Sequence, residues 1–438
     1  MSRIIPPEIA PYESLIDDIL RAGAAKADEV EVYLEAGRSL SLELRQTVVG
    51  EASMAEVWGI GIRVITDGRI GSSSTMSPGR WEACLDAAVA SARLADQQDW
   101  QGLPSPAPLP ACDEPYDPLV VCDVALAEDL LSRTMAGAEG AEAVVIGGSA
   151  SLSSGAGAIA NSHDVFSTHR GTHAGVSLEM INGTSTGYEY DSTARLGDID
   201  PEKVGEKAAF FADFWAGAGD VPSAEADVVF APTALASLLS AIFFPALSGR
   251  NVHAGRSYFA GKLGEACLDP ALHVIDDPHH GDHATPLDDD GVVTRPLELV
   301  RDGTVAGFAY DLKTAYRYGA KTTGNAVRGG AGGAPGIGFH NLTVEGPAGG
   351  VDDGGAIVCH GLVGAHTANT ITGDFSVELS NASYVEDGEY TAPIRSAMLG
   401  GNLFAMLADI AGTSEETRTV GRIALPSVRF NNLHIIGK

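Results

Sequence analysis

Leu40, Leu42 and Leu44 alternate with Ser39, Ser41, Glu43 and Arg45. A period of two puts the leucines on one face and predicts a half-buried strand. Upstream, Leu15, Ile19 and Ala22 fall at helical spacing, so residues 12–25 are expected to form a helix that ends in a glycine-containing break. Residues 59–66 and 69–75 flank Asp67-Gly68, a pair that tolerates the positive φ of a tight turn, and they predict a hairpin. Ser77-Pro78 opens a second helix through Ala95. Residues 103–118, LPSPAPLPACDEPYDP, hold too many prolines for a helix or a central strand, and read as an exposed connection inside the first domain.

A third helix is expected over 124–140, strands from 143 to about 190, and a fourth helix over 201–214. Together these give residues 1–222 an α+β class with an antiparallel sheet. The chain becomes Gly- and Pro-containing at 217–223, which places a boundary near 223. Beyond it, strand 228–230 and a helix over 233–247 open a β-rich second domain, residues 223–438. Its further strands are read at 297–300, 305–309, 342–344, 357–363, 384–385 and 428–436, with a helix at 402–410. No period of 20 to 50 residues argues for a solenoid. The 438 residues exceed the roughly 250–300 at which single cores stop growing, which agrees with two domains.

Composition narrows the function classes. A net charge of −30 repels phosphate backbones and anionic lipid, so nucleic acid and membrane surfaces are not expected partners. The five cysteines, Cys84, Cys112, Cys122, Cys267 and Cys359, are odd in number and form no CxxC, which suits free thiols in a reducing cytoplasm. The N-terminal residues show no apolar leader core, and no stretch reaches the roughly 18 apolar residues of a membrane span.

The usual chemical motifs are missing. The run Gly255 to Lys262 has a five-residue spacer and Leu263 where a phosphate loop needs four and Ser/Thr. The glycines of 329–338 complete no GxGxxG and read as a flexible loop. There is no His-Glu pair. One ligand-rich stretch remains: Asp276-Asp277-Pro278-His279-His280-Gly281-Asp282-His283, followed by Asp288, Asp289 and Asp290. It reads as a solvated acidic turn, or else as a metal-holding loop through His279, His280 and His283.

Several stretches in order resemble the PmbA/TldD family, and within it the TldE (PmbA) branch. They are Leu247-Ser248-Gly249-Arg250-Asn251, Gly255-Arg256-Ser257-Tyr258-Phe259, Thr322-Thr323-Gly324-Asn325-Ala326, Thr372-Gly373-Asp374-Phe375-Ser376 and Gly400-Gly401-Asn402-Leu403. Gly59 to Val64 with Asp67 to Gly71 is similar to the family's opening. The resemblance implies a two-chain cytosolic protease acting on unstructured peptides, such as leader peptides or antitoxins. In its TldD branch a helix carries HExxxH, two His and a later Cys hold zinc, and the Glu activates water. Residues five apart lie about 140° apart on an ideal helix, so that helix must be distorted to bring both ligands to one ion.

The corresponding stretch here, residues 243–249, has no His or Glu, and residues 412–438 have no Cys. The resemblance therefore implies a subunit with neither metal ligand nor catalytic residue of its own. Zinc is expected in a TldD-like partner, with an unfolded peptide as substrate. Residues carried over as chamber-lining or turn-forming are Ser248, Gly249, Asn251, Thr323, Gly324, Asn325 and Asp374. Two other readings stand beside this one, an autonomous metallopeptidase using the His279–His283 loop and a peptide-binding scaffold homodimer.

Overall fold

The computed structural model describes residues 12–351, 354–386 and 388–437. The N-terminal segment read above for a leader lies outside the described residues, apart from Tyr12. The first half runs α1 (Glu13–Ala24), β1 (Glu29–Arg45), β2 (Val48–Thr66), β3 (Arg69–Thr75), α2 (Trp81–Leu94), then α3 (Val124–Gly137), β4 (Val144–Asn161), β5 (Phe166–Asn182), β6 (Ser185–Thr193) and α4 (Pro201–Phe214). The strands form one antiparallel six-stranded sheet in the order β3-β2-β1-β4-β5-β6. Two αβββα runs thus meet along β1 and β4, an internal duplication of architecture that no sequence period announced.

Alternation along β1 sorts its side chains between two surroundings. Val30, Val32 and Leu34 are buried with Ile16, Ile19 and Leu85 from α1 and α2. Farther along the same face, Leu40, Leu42 and Leu44 are buried with Leu130, Leu131 and Val204 from α3 and α4. The odd positions turn the other way, where Tyr33 packs with Leu287 and Ala331 of the second half. The Asp67-Gly68 turn has φ of 49° and 70°, as its hairpin requires.

The proline-rich stretch does not stay within the first half. The Leu103 N–H donates to Glu29, the Thr172 N–H donates to Pro115 O, and the Asp113 N–H donates to His279 O at 2.8 Å. It is a strap across both halves.

The second half contains β7 (Ala224–Phe230), α5 (Pro232–Leu238), β8 (His273–Asp276), β9 (Leu297–Arg301), β10 (Thr304–Val305), β11 (Ala326–Val327), β12 (Gly336–Ile337), β13 (Leu342–Glu345), β14 (Ala356–Val363), β15 (Asp374–Glu386), β16 (Glu389–Ile394), β17 (Met398–Asn402), β18 (Gly412–Val420) and β19 (Ile423–Ile436). Strands β19, β17, β15, β14 and β7 pair in sequence, and β7 pairs back onto β19, so they close into a ring. The ring and the segments around it bury Phe230, Phe243, Phe259, Phe404 and Phe430 in one core.

Two expectations change here. The strand read at 305–309 stops at Val305, because the following backbone turns inward and buries Phe308 and Ala309. The glycine-rich 329–338 is not a loose loop. It is the tip of the β11–β12 hairpin, and it is anchored where the Ala331 N–H donates to Glu35 at 2.9 Å.

Candidate functional site

The helix that begins at Pro232, which the resemblance sets at the place of the family's zinc-binding helix, is irregular. Beyond Leu238 it passes through one π turn, Leu239–Phe243, in which the Phe244 N–H donates to Leu239 O. Closing an i→i+5 bond widens the helix and draws residues five apart towards one face. Yet residues 232–249 include no His, Glu, Asp or Cys. Leu235, Leu238, Leu239, Ile242, Phe243, Phe244, Ala246 and Leu247 are all buried in the core. The distortion is present without the donors, so these residues do not fit a zinc ion. Cys359, on β14, is buried with its Sγ against Gly361 O at 2.9 Å, and desolvation pushes its thiol up to about 12. It is a packed thiol far from thiolate character.

The structure brings most of the carried-over residues together around Tyr310. The Gly249 N–H donates to Ala309 O at 2.9 Å, and Ser248 bridges the same residue. A Cβ on Gly249 would lie 2.2 Å from the Tyr310 ring. The Asn251 amide donates to Pro245 O at 2.8 Å and fixes the end of the slot helix. From the other side, the Tyr310 N–H donates to Thr323 Oγ1 at 2.8 Å, and Thr323 Oγ1 donates to Asn325 Oδ1 at 2.7 Å. Gly324 supplies a φ of 76° between them. Asn325 is buried and donates to Asp276 Oδ2 at 2.7 Å and to Gly338 O at 3.0 Å. Asp374 stands apart at the start of β15, exposed, and accepts from Thr372 Oγ1 and the Asn402 amide. None of these residues lines either of the two large cavities described below.

The larger cavity, about 1080 Å³, opens where β6 and α4 of the first half face β14, β16 and β18 of the second. Thr233 and Ser237 of α5 line it, which sets it against the slot helix. Arg418 closes one side: it donates to the two Glu189 oxygens at 2.6 and 3.1 Å and to Tyr190 O at 2.7 Å. Phe210, Phe211 and Tyr390 supply an aromatic floor, and His360 bonds the Tyr390 hydroxyl at 2.8 Å. Desolvation pushes His360 down to about 4, so it is neutral at pH 7. Such a surface can hold apolar and aromatic side chains. Sequence reasoning missed it, although Phe210, Phe211, Phe214 and Trp215 crowding the end of one helix was a readable signal.

Comparison with known proteins now places the chain. The PmbA/TldA metallopeptidase C-terminal domain matches residues 223–437, domain 1 matches 30–92, and the central domain matches 122–213. The chain belongs to the PmbA/TldD family. An uncharacterized protein of Methanocaldococcus jannaschii is 28% identical over 95% of this chain and 98% of its own length. Metalloprotease PmbA of Escherichia coli O157:H7 is 25% identical over 97% of this chain and 96% of its own. The crystal structure of TldE from Thermococcus kodakarensis superposes with a TM-score of 0.90 at 26% identity, covering 97% of this chain and all of that one. The mixed α+β fold with its antiparallel sheet and β-rich C-terminal domain is the TldE fold.

Against this PmbA/TldD frame, the ligand-rich stretch is not a solvated turn. Asp276, Asp288 and Asp290 are at most 2% exposed. Asp288 accepts the N–H groups of Asp290, Val292 and Ala326, and burial, with Asp290 beside it, holds its carboxyl well above the usual range. Nor do the three imidazoles converge. His279 bonds Thr294 O, His280 bonds Asp277, and His283 faces the second cavity. Among the described residues no group of three or more His, Cys, Asp or Glu is arranged to hold a metal, so the metal-loop reading has no geometric support. No helix among them is long and apolar enough to cross a membrane.

Proposed function

We propose that this chain is the TldE-type, non-catalytic subunit of a cytoplasmic zinc metallopeptidase, docking on a TldD-like chain and closing a chamber that admits unfolded peptides. One observation carries the reading. The slot helix keeps a π turn suited to ligands five apart, while residues 232–249 supply no metal ligand and no base. A zinc peptidase needs a metal-bound water of lowered pKa and a group to take its proton. Both would come from the partner. This chain would contribute walls, with the aromatic cavity beside α5 offering contacts to an extended chain.

The test is to assay this chain and a TldD-like chain separately and mixed, on one disordered and one folded substrate, with and without chelator. The expected result is chelator-sensitive cleavage of the disordered substrate on mixing and none by this chain alone. Cleavage by this chain alone, or no gain on mixing, overturns the reading; the second outcome favours a peptide-binding scaffold.

A further inference from the structure

The second cavity, about 590 Å³, lies between the β4–β5 end of the first half, the strap and the second half. Leu109, Pro110 and Ile159 supply apolar lining, and His283, His340 and Arg422 supply polar groups. In a chain of net charge −30, its carboxylates are already engaged. Glu114 takes both arms of Arg170 at 2.5 and 3.0 Å. Asp113 accepts the Gly281 N–H, Asp289 accepts the Arg328 N–H, and Asp288 is held by its three backbone donors. Arg328 in turn is paired with Glu31.

Arg422 is the exception. Its side chain makes one hydrogen bond, from Nη1 to Phe339 O at 3.2 Å, and no ion pair within 4.0 Å among the described residues; Asp276 and Asp289 act on its charge only from beyond that distance. The fork of a guanidinium matches a carboxylate with two parallel bonds. Beside it, the His340 Nδ1 sits 3.1 Å from Asp276 Oδ2, and the His340 N–H donates to Asp276 Oδ1 at 2.8 Å. With Nδ1 turned to that carboxylate, Nε2 has no protein partner among the described residues. His283 contributes a second imidazole, kept uncharged at pH 7 because desolvation, with Arg422 next in importance, pushes it down to about 4. An unpaired guanidinium and two imidazoles beside apolar walls make a mouth of the size and chemistry that grips a small apolar body by an acid group.

We infer that this cleft binds an organic carboxylate with an apolar body, such as the free C-terminus of a peptide, with Arg422 as its principal anchor. The site belongs to this chain alone and does not depend on a catalytic partner. Calorimetric titration of the isolated full-length chain tests it with four probes: N-acetyl-leucyl-leucine as the free acid, the same dipeptide as its amide, hexanoate, and inorganic phosphate. The free acid is expected to bind saturably and at least tenfold more tightly than the amide. Arg422→Gln should abolish that preference, and Arg422→Lys should retain part of it, with the thermal melting of both variants unchanged. Hexanoate matching the dipeptide supports a general carboxylate site, and a weaker hexanoate supports a peptide terminus. Equal binding of acid and amide, no saturable binding of the acid, full binding by Arg422→Gln, or phosphate displacing the dipeptide at equal concentration overturns the inference.

Discussion

Arg63 on β2 and Asp290 in the second half are 227 positions apart in the chain, and the Arg63 Nη1 donates to Asp290 Oδ1 at 2.7 Å in a site where both side chains are almost wholly buried. Glu31 on β1 pairs with the same guanidinium and also with Arg328. Burial works against the Arg63 charge, but Glu31 and Asp290 more than offset it, so its pKa is raised. Glu31 keeps Arg328, but removing Arg63 leaves Asp290 without its cation in a dry place, and breaking a buried pair in this way costs about 3–5 kcal/mol. Arg63→Met is therefore expected to lose that much stability in urea unfolding. A loss below about 1 kcal/mol would show that the junction does not depend on the network.

Acid should loosen the same molecule. His360 and His283 are each pushed down to about 4, chiefly by desolvation. An unfolded imidazole titrates near 6.5, so between about 6.5 and 4 the unfolded chain holds more protons than the folded one. Stability is intact above that window and falls as pH drops through it, by up to about 1.4 kcal/mol per pH unit for each histidine. Melting temperatures from pH 7.5 to 4.5 check this. His360→Asn should flatten the slope, and an unchanged slope would remove His360 as a cause.

Helices α3 and α4 approach through glycine. A Cβ on Gly205 would stand 1.9 Å from Thr134 O, a backbone atom that cannot step aside alone. Gly205→Ala should therefore destabilise the first half by about 1–3 kcal/mol, the range for overpacking, although alanine is the better helix former. Equilibrium unfolding measures it, and a neutral or stabilising result would show that the helices can separate freely.

Metal content gives a direct check on the slot helix. The purified chain is expected to hold no stoichiometric zinc by elemental analysis, and chelator is expected to leave its melting temperature unchanged. One tightly bound zinc per chain would contradict the assignment of the metal to a partner.

The sequence by itself determined what repeats at short range. Period-two leucines marked β1, the Asp67-Gly68 pair marked the β2–β3 hairpin, and Pro201 to Phe214 marked α4, because local sterics and amphipathic faces decide such elements. Ordered short motifs also pointed to the PmbA/TldD family, and the chain's lack of His and Glu in the slot was readable directly. Only the tertiary structure decided where the charges go. Asp276, Asp288 and Asp290 look like a solvated acidic turn in one dimension, since Arg63, Asn325 and the backbone N–H groups of Leu312, Ala326 and His340 that hold them lie far along the chain. Likewise the closure of β7 onto β19 and the cavity that leaves Arg422 unpaired depend on long-range pairing, which no local pattern encodes.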